Sequence, residues 1–528
     1  MNIAIDMDWL LTHSPALIVA IPLLGAFITP LISKIGDSVR NAWAIFIVLL
    51  TSFFVFLLAN DILTNGSVRT YVFGGNTALI NNSFAVRILF EVDGMNAFIA
   101  IIAAVLAIAG IIYSWSFMKE HTGLDKYYTL VLLMIAGMFG MILTGDMFNF
   151  FVFIEITSIA SCALIAFYTN KGKAVDAGFK YIVISSVGAL FILLAIGILY
   201  SQYNALNMAV LAGNIQYTFL DKIAFGLLIG GLAMKAGIVP MHMWLPDAYG
   251  RAPSSVSIIL VGTTLAGLYG ALRMTFTVYG NSLLTATTNK GDIPLYSIIG
   301  AIIVSLAIVT ILIGVLMALK ESDFKRMIGF AAVGEIGYMI LAVGAALLAL
   351  GTTYGDKALT GGIFHIINDA LDVGLLFLVA GAVYYVTKET SLNKLGGLAR
   401  HMKYTTVFFV IGLFAVSGMP PLNGFASKLL IYQSTYQVNP ILAIVAILCS
   451  ILLLAAFVKV FHSAFLGPKI SKFEGAREVP KSMLIAMGFI ACFIIFFGLF
   501  PNIVINSIIE PAKDAILNYT SYIGGIIP

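Results

Sequence analysis

Fourteen stretches of this chain stay apolar for about 18 residues or more, the length an α-helix needs to cross a hydrocarbon layer roughly 30 Å thick. They fall at 15–33, 41–59, 95–116, 127–145, 148–169, 179–200, 222–241, 254–278, 294–318, 326–349, 361–386, 404–432, 439–465 and 481–505. Hydrocarbon offers no partner to a backbone N–H or C=O, so segments of this kind must be helical. The expected fold is therefore an all-α polytopic membrane protein with about 14 transmembrane helices. Only 10% of residues are charged, against roughly 25% in a soluble domain, which excludes an ordinary globular enzyme. No basic patch interleaved with aromatics speaks for nucleic acid. Cys162, Cys449 and Cys492 each lie in an apolar run without paired spacing, so neither a disulfide framework nor a metal site is expected. The first apolar run follows Asp6 and Asp8 rather than a basic segment, and no removed signal peptide is expected. The longest connection, 60–94, carries Gly-Gly-Asn and Asn-Asn turn signals for a short hairpin.

Basic residues set the orientation. With the amino terminus outside, Arg69, Arg87, Lys222, Arg273, Lys290, Lys357 and Lys513 fall on the outer side, and Lys235, Lys428 and Lys459 fall within spans. The remaining nineteen of 29 fall on the inner side. Positive charge is retained inside, which places both termini on the outer face of a plasma membrane.

Two helices carry breakers. The seventh reads Lys235-Ala-Gly237-Ile-Val-Pro240, and the twelfth reads Ser417-Gly418-Met-Pro420-Pro421-Leu-Asn-Gly424 before Lys428. Proline and glycine unwind a membrane helix only where neighbours or water satisfy the freed backbone. The breaks are five spans apart, and each lies near one lysine. That spacing suggests two five-helix repeats in inverted orientation, residues 127–278 and 294–465. Residues 1–126 then hold the first three helices and the hairpin, and 466–528 hold the last helix and a tail.

Ionisable residues inside the spans are the candidate functional groups, because one at mid-membrane costs about 3 kcal/mol. Glu155 and Lys235 are complementary charges on the first and fourth helices of the first unit. They are either a structural pair or an adjustable one, since stretching a pair from about 4 to 8 Å changes its energy by roughly 2 kcal/mol at an effective dielectric near 20. Lys428 is either a second proton carrier or a residue snorkelling to the interface. His365, Asp369 and Asp372 share one helical face, which suits a water-lined relay or a cation site. Glu335 is open between relay and helix pairing. His242 and Asp247, past the Pro240 break, are candidates for proton uptake. Asp146 is expected to cap a short turn, Lys459 and His462 to snorkel, and the run Lys320-Glu-Ser-Asp-Phe-Lys325-Arg326 to be a solvated charge run. No redox centre, nucleotide loop or catalytic nucleophile is legible, so no cofactor is expected, and whether the chain takes part in an enzyme is left to its partners.

These motifs together resemble the antiporter-like membrane subunits shared by respiratory complex I, Mrp-type sodium/proton antiporters and membrane-bound hydrogenase complexes. The resemblance rests on Val92-Asp93-Gly94-Met95-Asn96, on the Glu155 helix, and on Lys235 through Met241-His242-Met-Trp244-Leu-Pro-Asp247-Ala248 and Ala252-Pro253-Ser254. It continues with Asp323-Phe-Lys325-Arg326 and with Gly418 through Lys428. It implies a fourteen-helix fold with two inverted five-helix repeats, Glu155 and Lys235 as an input pair, and Lys428 as a terminal carrier. It also implies a proton-translocating subunit among other membrane subunits, with redox subunits bearing iron–sulfur or nickel–iron centres as one class of partner. Sodium is open as a second ion. Relatives often carry a lysine where this chain has Leu265, and a pattern resembling His-x-x-x-His-Ala-x-x-Lys where this chain has Asp369 and Val373. Thr263, Thr264 and water, or a sodium-type role for His365, Asp369 and Asp372, would fill that gap. The short tail after residue 505 leans toward an Mrp-like or hydrogenase-type assembly. A non-pumping scaffold and a stand-alone symporter are the competing readings.

Overall fold

The computed structural model describes residues 7–74, 79–80, 83–84, 87–285, 294–468 and 470–525. Among them, twelve helices are long and apolar enough to cross a membrane, from Met7–Ile32 to Lys481–Leu499. The two remaining expected spans, 222–241 and 404–432, are the ones with breakers. Phe219–Ala236 stops at Gly237, whose φ is 71°, and Lys403–Val416 stops just before Gly418, whose φ is 73°. Both ends close in one way. Gly237 N–H donates to Met234 O and Ile238 N–H to Ala233 O, while Gly418 N–H donates to Ala415 O and Met419 N–H to Phe414 O. A left-handed residue that turns the chain back on its last carbonyls is where glycine is needed. After each proline the chain re-enters a helix, Trp244–Arg251 or Asn423–Val438.

Helix packing relies on close backbone approach, as membrane interfaces do. Leu295–Lys320 lies against Phe324–Leu348 so tightly that a Cβ at Gly314 would sit 2.3 Å from Gly334 N and 2.9 Å from Phe330 O. Backbone cannot yield as a side chain can. Gly314→Val is therefore expected to cost about 1–3 kcal/mol or more through overpacking, read as a lower thermal midpoint in detergent. An unshifted midpoint would contradict this contact.

The expected hairpin is present. Arg69–Val72 pairs antiparallel with Leu89–Val92, and Leu79–Ile80 pairs with Ser83–Phe84. Part of its turn signals, Gly75-Asn76 and Asn81-Asn82, lies outside the described residues, as do Lys290 and Lys469. The hairpin marks one face of the bundle. His13 near the start of the first helix meets Tyr71 edge to face, and Tyr522 lies under Arg273 at 4.6 Å on the same face. The segment after residue 505 is not a loose tail. Pro511 O lies 2.7 Å from where a Cβ on Gly94 would be, and Ala512, Ile516 and Tyr522 are buried.

The opposite face gathers lysines and arginines. The run 320–326 is not freely solvated there, contrary to expectation. Arg326 pairs with Glu321 at 2.8 Å and with Asp247 at 3.0 Å, Arg251 pairs with Asp323 at 3.0 Å, and buried Lys325 donates to Ala252 O at 2.5 Å. Carbonyls at helix ends need donors, and Lys459 supplies one: its Nζ donates to Leu319 O at 2.7 Å and Glu321 O at 2.8 Å. That is helix capping rather than snorkelling. Asp146 caps as expected, accepting from Asn149 N at 2.7 Å.

Candidate functional site: a buried ionic chain

The Pro420-Pro421 break leads directly into Asn423–Val438, and this positions Lys428. One turn and a half into Asn423–Val438, its side chain turns back toward the break. Its Nζ donates to Val416 O, a carbonyl freed by the break, at 2.7 Å. It also donates to Glu335 Oε1 at 2.8 Å and lies over the Tyr338 ring at 4.5 Å. Lys428 and Glu335 are each 1% exposed, which removes the snorkelling alternative. The other carboxylate oxygen, Glu335 Oε2, is 2.9 Å from His365 Nε2, a close electrostatic contact rather than an aligned hydrogen bond. His365 Nδ1 faces Ser427 Oγ at 3.1 Å. Three helices thus bring Lys428, Glu335 and His365 into one buried row.

The row continues along Thr353–Thr387, which is buried over most of its length. Asn368 Nδ2 donates to Asn423 O at 3.0 Å, and Asn423 Nδ2 donates back to Asn368 Oδ1 at 3.2 Å. This clamp holds the helix against the unwound break. Beside it, Asp369 Oδ1, Asp372 Oδ1 and Asn423 Oδ1 are buried without a hydrogen-bond partner. Gly424 is required at this crossing. A Cβ there would meet Ala415 backbone and lie 3.3 Å from Asp372 Oδ2.

In the first half the arrangement differs. Lys235 is buried, and its Nζ donates to Ser158 Oγ at 2.6 Å and Ser185 Oγ at 2.7 Å, with the Tyr181 ring 5.5 Å away. Among the described residues no ion pair joins it to Glu155. Glu155 and Ser158 lie three residues apart on Met147–Ile165. The helix turns the serine, not the acid, toward the lysine, and Glu155 is half-buried beside it. His242 is buried in the turn after Pro240, with Nδ1 unpartnered. Asp247 is held by Arg326 at 3.0 Å and Lys180 at 3.1 Å. The freed carbonyl of Met234 is taken by the Trp244 indole at 2.9 Å. Between the halves, Tyr249 Oη donates to Thr264 Oγ1 at 2.6 Å, one helical turn from Leu260 and next to Leu265.

The chain matches the family described as "NADH:quinone oxidoreductase/Mrp antiporter, TM" over residues 144–454. It belongs to this antiporter-type family of membrane subunits. Among relatives, it is 30% identical over 526 residues to NADH-quinone oxidoreductase subunit N of Desulforudis audaxviator, covering 95% of this chain and 98% of that one. It is also 30% identical to Hydrogenase-4 component B of Escherichia coli, covering 78% of this chain but 62% of that protein's length. Of solved structures, a chain of the membrane-bound sulfane sulfur reductase, an archaeal respiratory membrane complex, superposes with a TM-score of 0.84 at 28% identity. That superposition covers 97% of this chain and 99% of the other. The family resemblance read from the motifs holds, and the protein is an antiporter-like polytopic membrane subunit.

Several residues of the site were not singled out from sequence. Ser158 and Ser185 look like ordinary small residues in apolar helices. Asn423 stood within a noted motif, and its position three residues after Pro420 was the available signal. Arg273 ends its span, which from sequence reads as an outer-side charge. It is in fact 1% exposed and locked to Asp93.

Proposed function

We propose that the chain translocates protons across the plasma membrane as one subunit of a multi-subunit Mrp-type, hydrogenase-like or complex I-like assembly. Lys428, Glu335 and His365 are the exchanging core, Asp369 and Asp372 continue the path, and Lys235, held in this state by Ser158 and Ser185, is the carrier of the first half with Glu155 as the acid it meets when the helices shift. His242 and Asp247 serve uptake on the basic face, which faces inward, with both termini outside. The two broken helices bring the count of crossings to fourteen, in inverted units 127–278 and 294–465. Their matching closures at Gly237 and Gly418 support this.

The observation that carries the reading is the contact row Lys428–Glu335–His365. Replacing a buried ion pair by apolar side chains is often neutral or stabilising, so stability alone gives no reason for it. A carboxylate shared by a lysine and a histidine can instead move between partners as protons arrive and leave. In complexes that assemble into vesicles, Glu335→Gln is expected to lower proton transport about 100-fold or more, the low end of what a positioned proton-transfer group contributes. Undiminished transport in Glu335→Gln would refute the reading.

Sodium is favoured as a second ion by one observation. Asp369 Oδ1, Asp372 Oδ1 and Asn423 Oδ1 are buried acceptors with no donor, beside an unwound helix of the sort that coordinates such ions in transporters. Sodium dependence of transport that disappears in Asp372→Asn would support it.

A further inference from the structure

One buried acid takes no part in the path just described. Glu91 stands on strand Leu89–Val92, beneath the hairpin, 0% exposed, and neither Oε1 nor Oε2 has an aligned hydrogen-bond partner, the Tyr522 hydroxyl being the group placed to give a weak one. The nearest cation cannot supply one. Arg273 has five N–H donors. Its Nη1 and Nη2 reach Asp93 Oδ2 and Oδ1 at 2.7 Å each, Nη1 also reaches Thr277 Oγ1 at 3.2 Å, Nη2 reaches Asn96 Oδ1 at 2.8 Å, and Nε reaches Tyr269 Oη at 3.2 Å. Glu91 therefore feels the arginine's field without receiving a hydrogen from it. Tyr522 faces it from the last short helix. A Cβ on Gly145 would lie 2.9 Å from Glu91 Oε2 and 3.5 Å from Tyr522 Oη. The titratable and charged groups around Glu91 are Arg273 and Tyr269 on one helix, Tyr522 on another, Asp93 on its own segment, and Asp146 next to Gly145 in the adjoining turn. Burial pushes the Glu91 carboxyl well above the usual range, while Arg273 and Tyr522 pull it down.

The position connects to the first carrier. Lys235 packs at Gly267, whose Cβ would lie 3.2 Å from Lys235 Cβ. Arg273 is six residues further along the same helix, about 9 Å toward the hairpin. Between them Tyr269 Oη accepts from Asn96 Nδ2 at 2.8 Å and from Arg273 Nε. We propose that Glu91 is the proton-release carboxyl of the Lys235 half, taking the proton that Lys235 gives up and passing it to water at the hairpin face. The proton leaves the lysine ammonium, travels on intervening water past the Tyr269 hydroxyl, protonates the Glu91 carboxylate and departs to bulk water, so water is the one other participant. Arg273 sets the carboxylate's affinity through its field, and Asp93 keeps the arginine from forming a permanent pair with Glu91.

This rests on the proposed function, and the two can fail separately. The test uses the assembled complex in vesicles, with pH varied only on the hairpin side. Wild-type transport should slow as that side is acidified. Glu91→Gln should be slower by roughly 100-fold, the low end for a positioned proton-transfer group, and should lose the pH dependence. Tyr522→Phe keeps the ring packed on Arg273 but removes a group that lowers the carboxyl's proton affinity. Its half-maximal point should shift to higher pH. This second variant decides the matter if Glu91→Gln does not accumulate. Profiles that superpose on wild type, while Lys235→Ala abolishes transport, would overturn the inference and leave the proposed function standing. Full transport in Lys235→Ala would overturn the reading beneath it.

Discussion

Lys428→Ala is expected to reduce proton transport by roughly 100- to 5,000-fold. Lys428 is 1% exposed and holds Glu335 Oε1 at 2.8 Å and Val416 O at 2.7 Å. Removing one partner of a buried pair costs about 3–5 kcal/mol, because the other charge is left without compensation. At about 1.4 kcal/mol per factor of ten, a penalty of that size on the exchanging state gives the stated range. The same penalty could unfold the break instead, so assembly must be measured beside transport. Glu335→Gln combined with Lys428→Met removes both charges at similar volume. The double variant should assemble as well as wild type and still not transport. Lys428→Arg keeps a positive charge but replaces a compact ammonium by a planar fork that does not give up its proton, and should assemble without restoring transport. If Lys428→Ala assembles and transports normally, the ionic row is structural only.

Much of this was legible in the sequence because the bilayer imposes simple rules. Span length, breaker position and charge asymmetry each follow from one physical cost. Lys428, Glu335 and His365 could be named individually, since each is expensive in hydrocarbon. Their contact could not be read, because it depends on how three helices rotate about their axes. The rotation of Met147–Ile165 illustrates the limit. A shift of three residues decides whether Glu155 or Ser158 meets Lys235, and apolar helices without a clear polar stripe do not encode that angle. The charge run 320–326 was misjudged for a related reason. Its partners Asp247 and Arg251 sit in the re-entrant turn after Pro240, far away in sequence, and fold back onto it. Arg273 and Asp93 are separated by 180 residues, and nothing local announces the pair.

Breaking that pair at one partner should be the most damaging single change on the hairpin face. Arg273→Ala is expected to cost about 3–5 kcal/mol, the price of leaving a buried carboxylate alone, against a total stability of roughly 5–15 kcal/mol for a folded domain. Asp93 would lose two charge-assisted hydrogen bonds at 2.7 Å. Asp93 also caps Gly94–Phe117, accepting from Met95 N at 2.9 Å and Asn96 N at 3.1 Å. The damage would therefore spread to the start of that helix and to the Tyr522 segment stacked on the arginine. Arg273→Lys should be intermediate, because an ammonium cannot reach both carboxylate oxygens, Asn96 and Tyr269 at once. The readout is the temperature at which half the monodisperse protein in detergent is lost. Asp93→Asn with Arg273→Met should recover a large part of the loss, since the asparagine can still cap the helix and no lone charge remains. Equal losses in the single and double variants would mean that packing of the arginine side chain, rather than charge pairing, holds this face together.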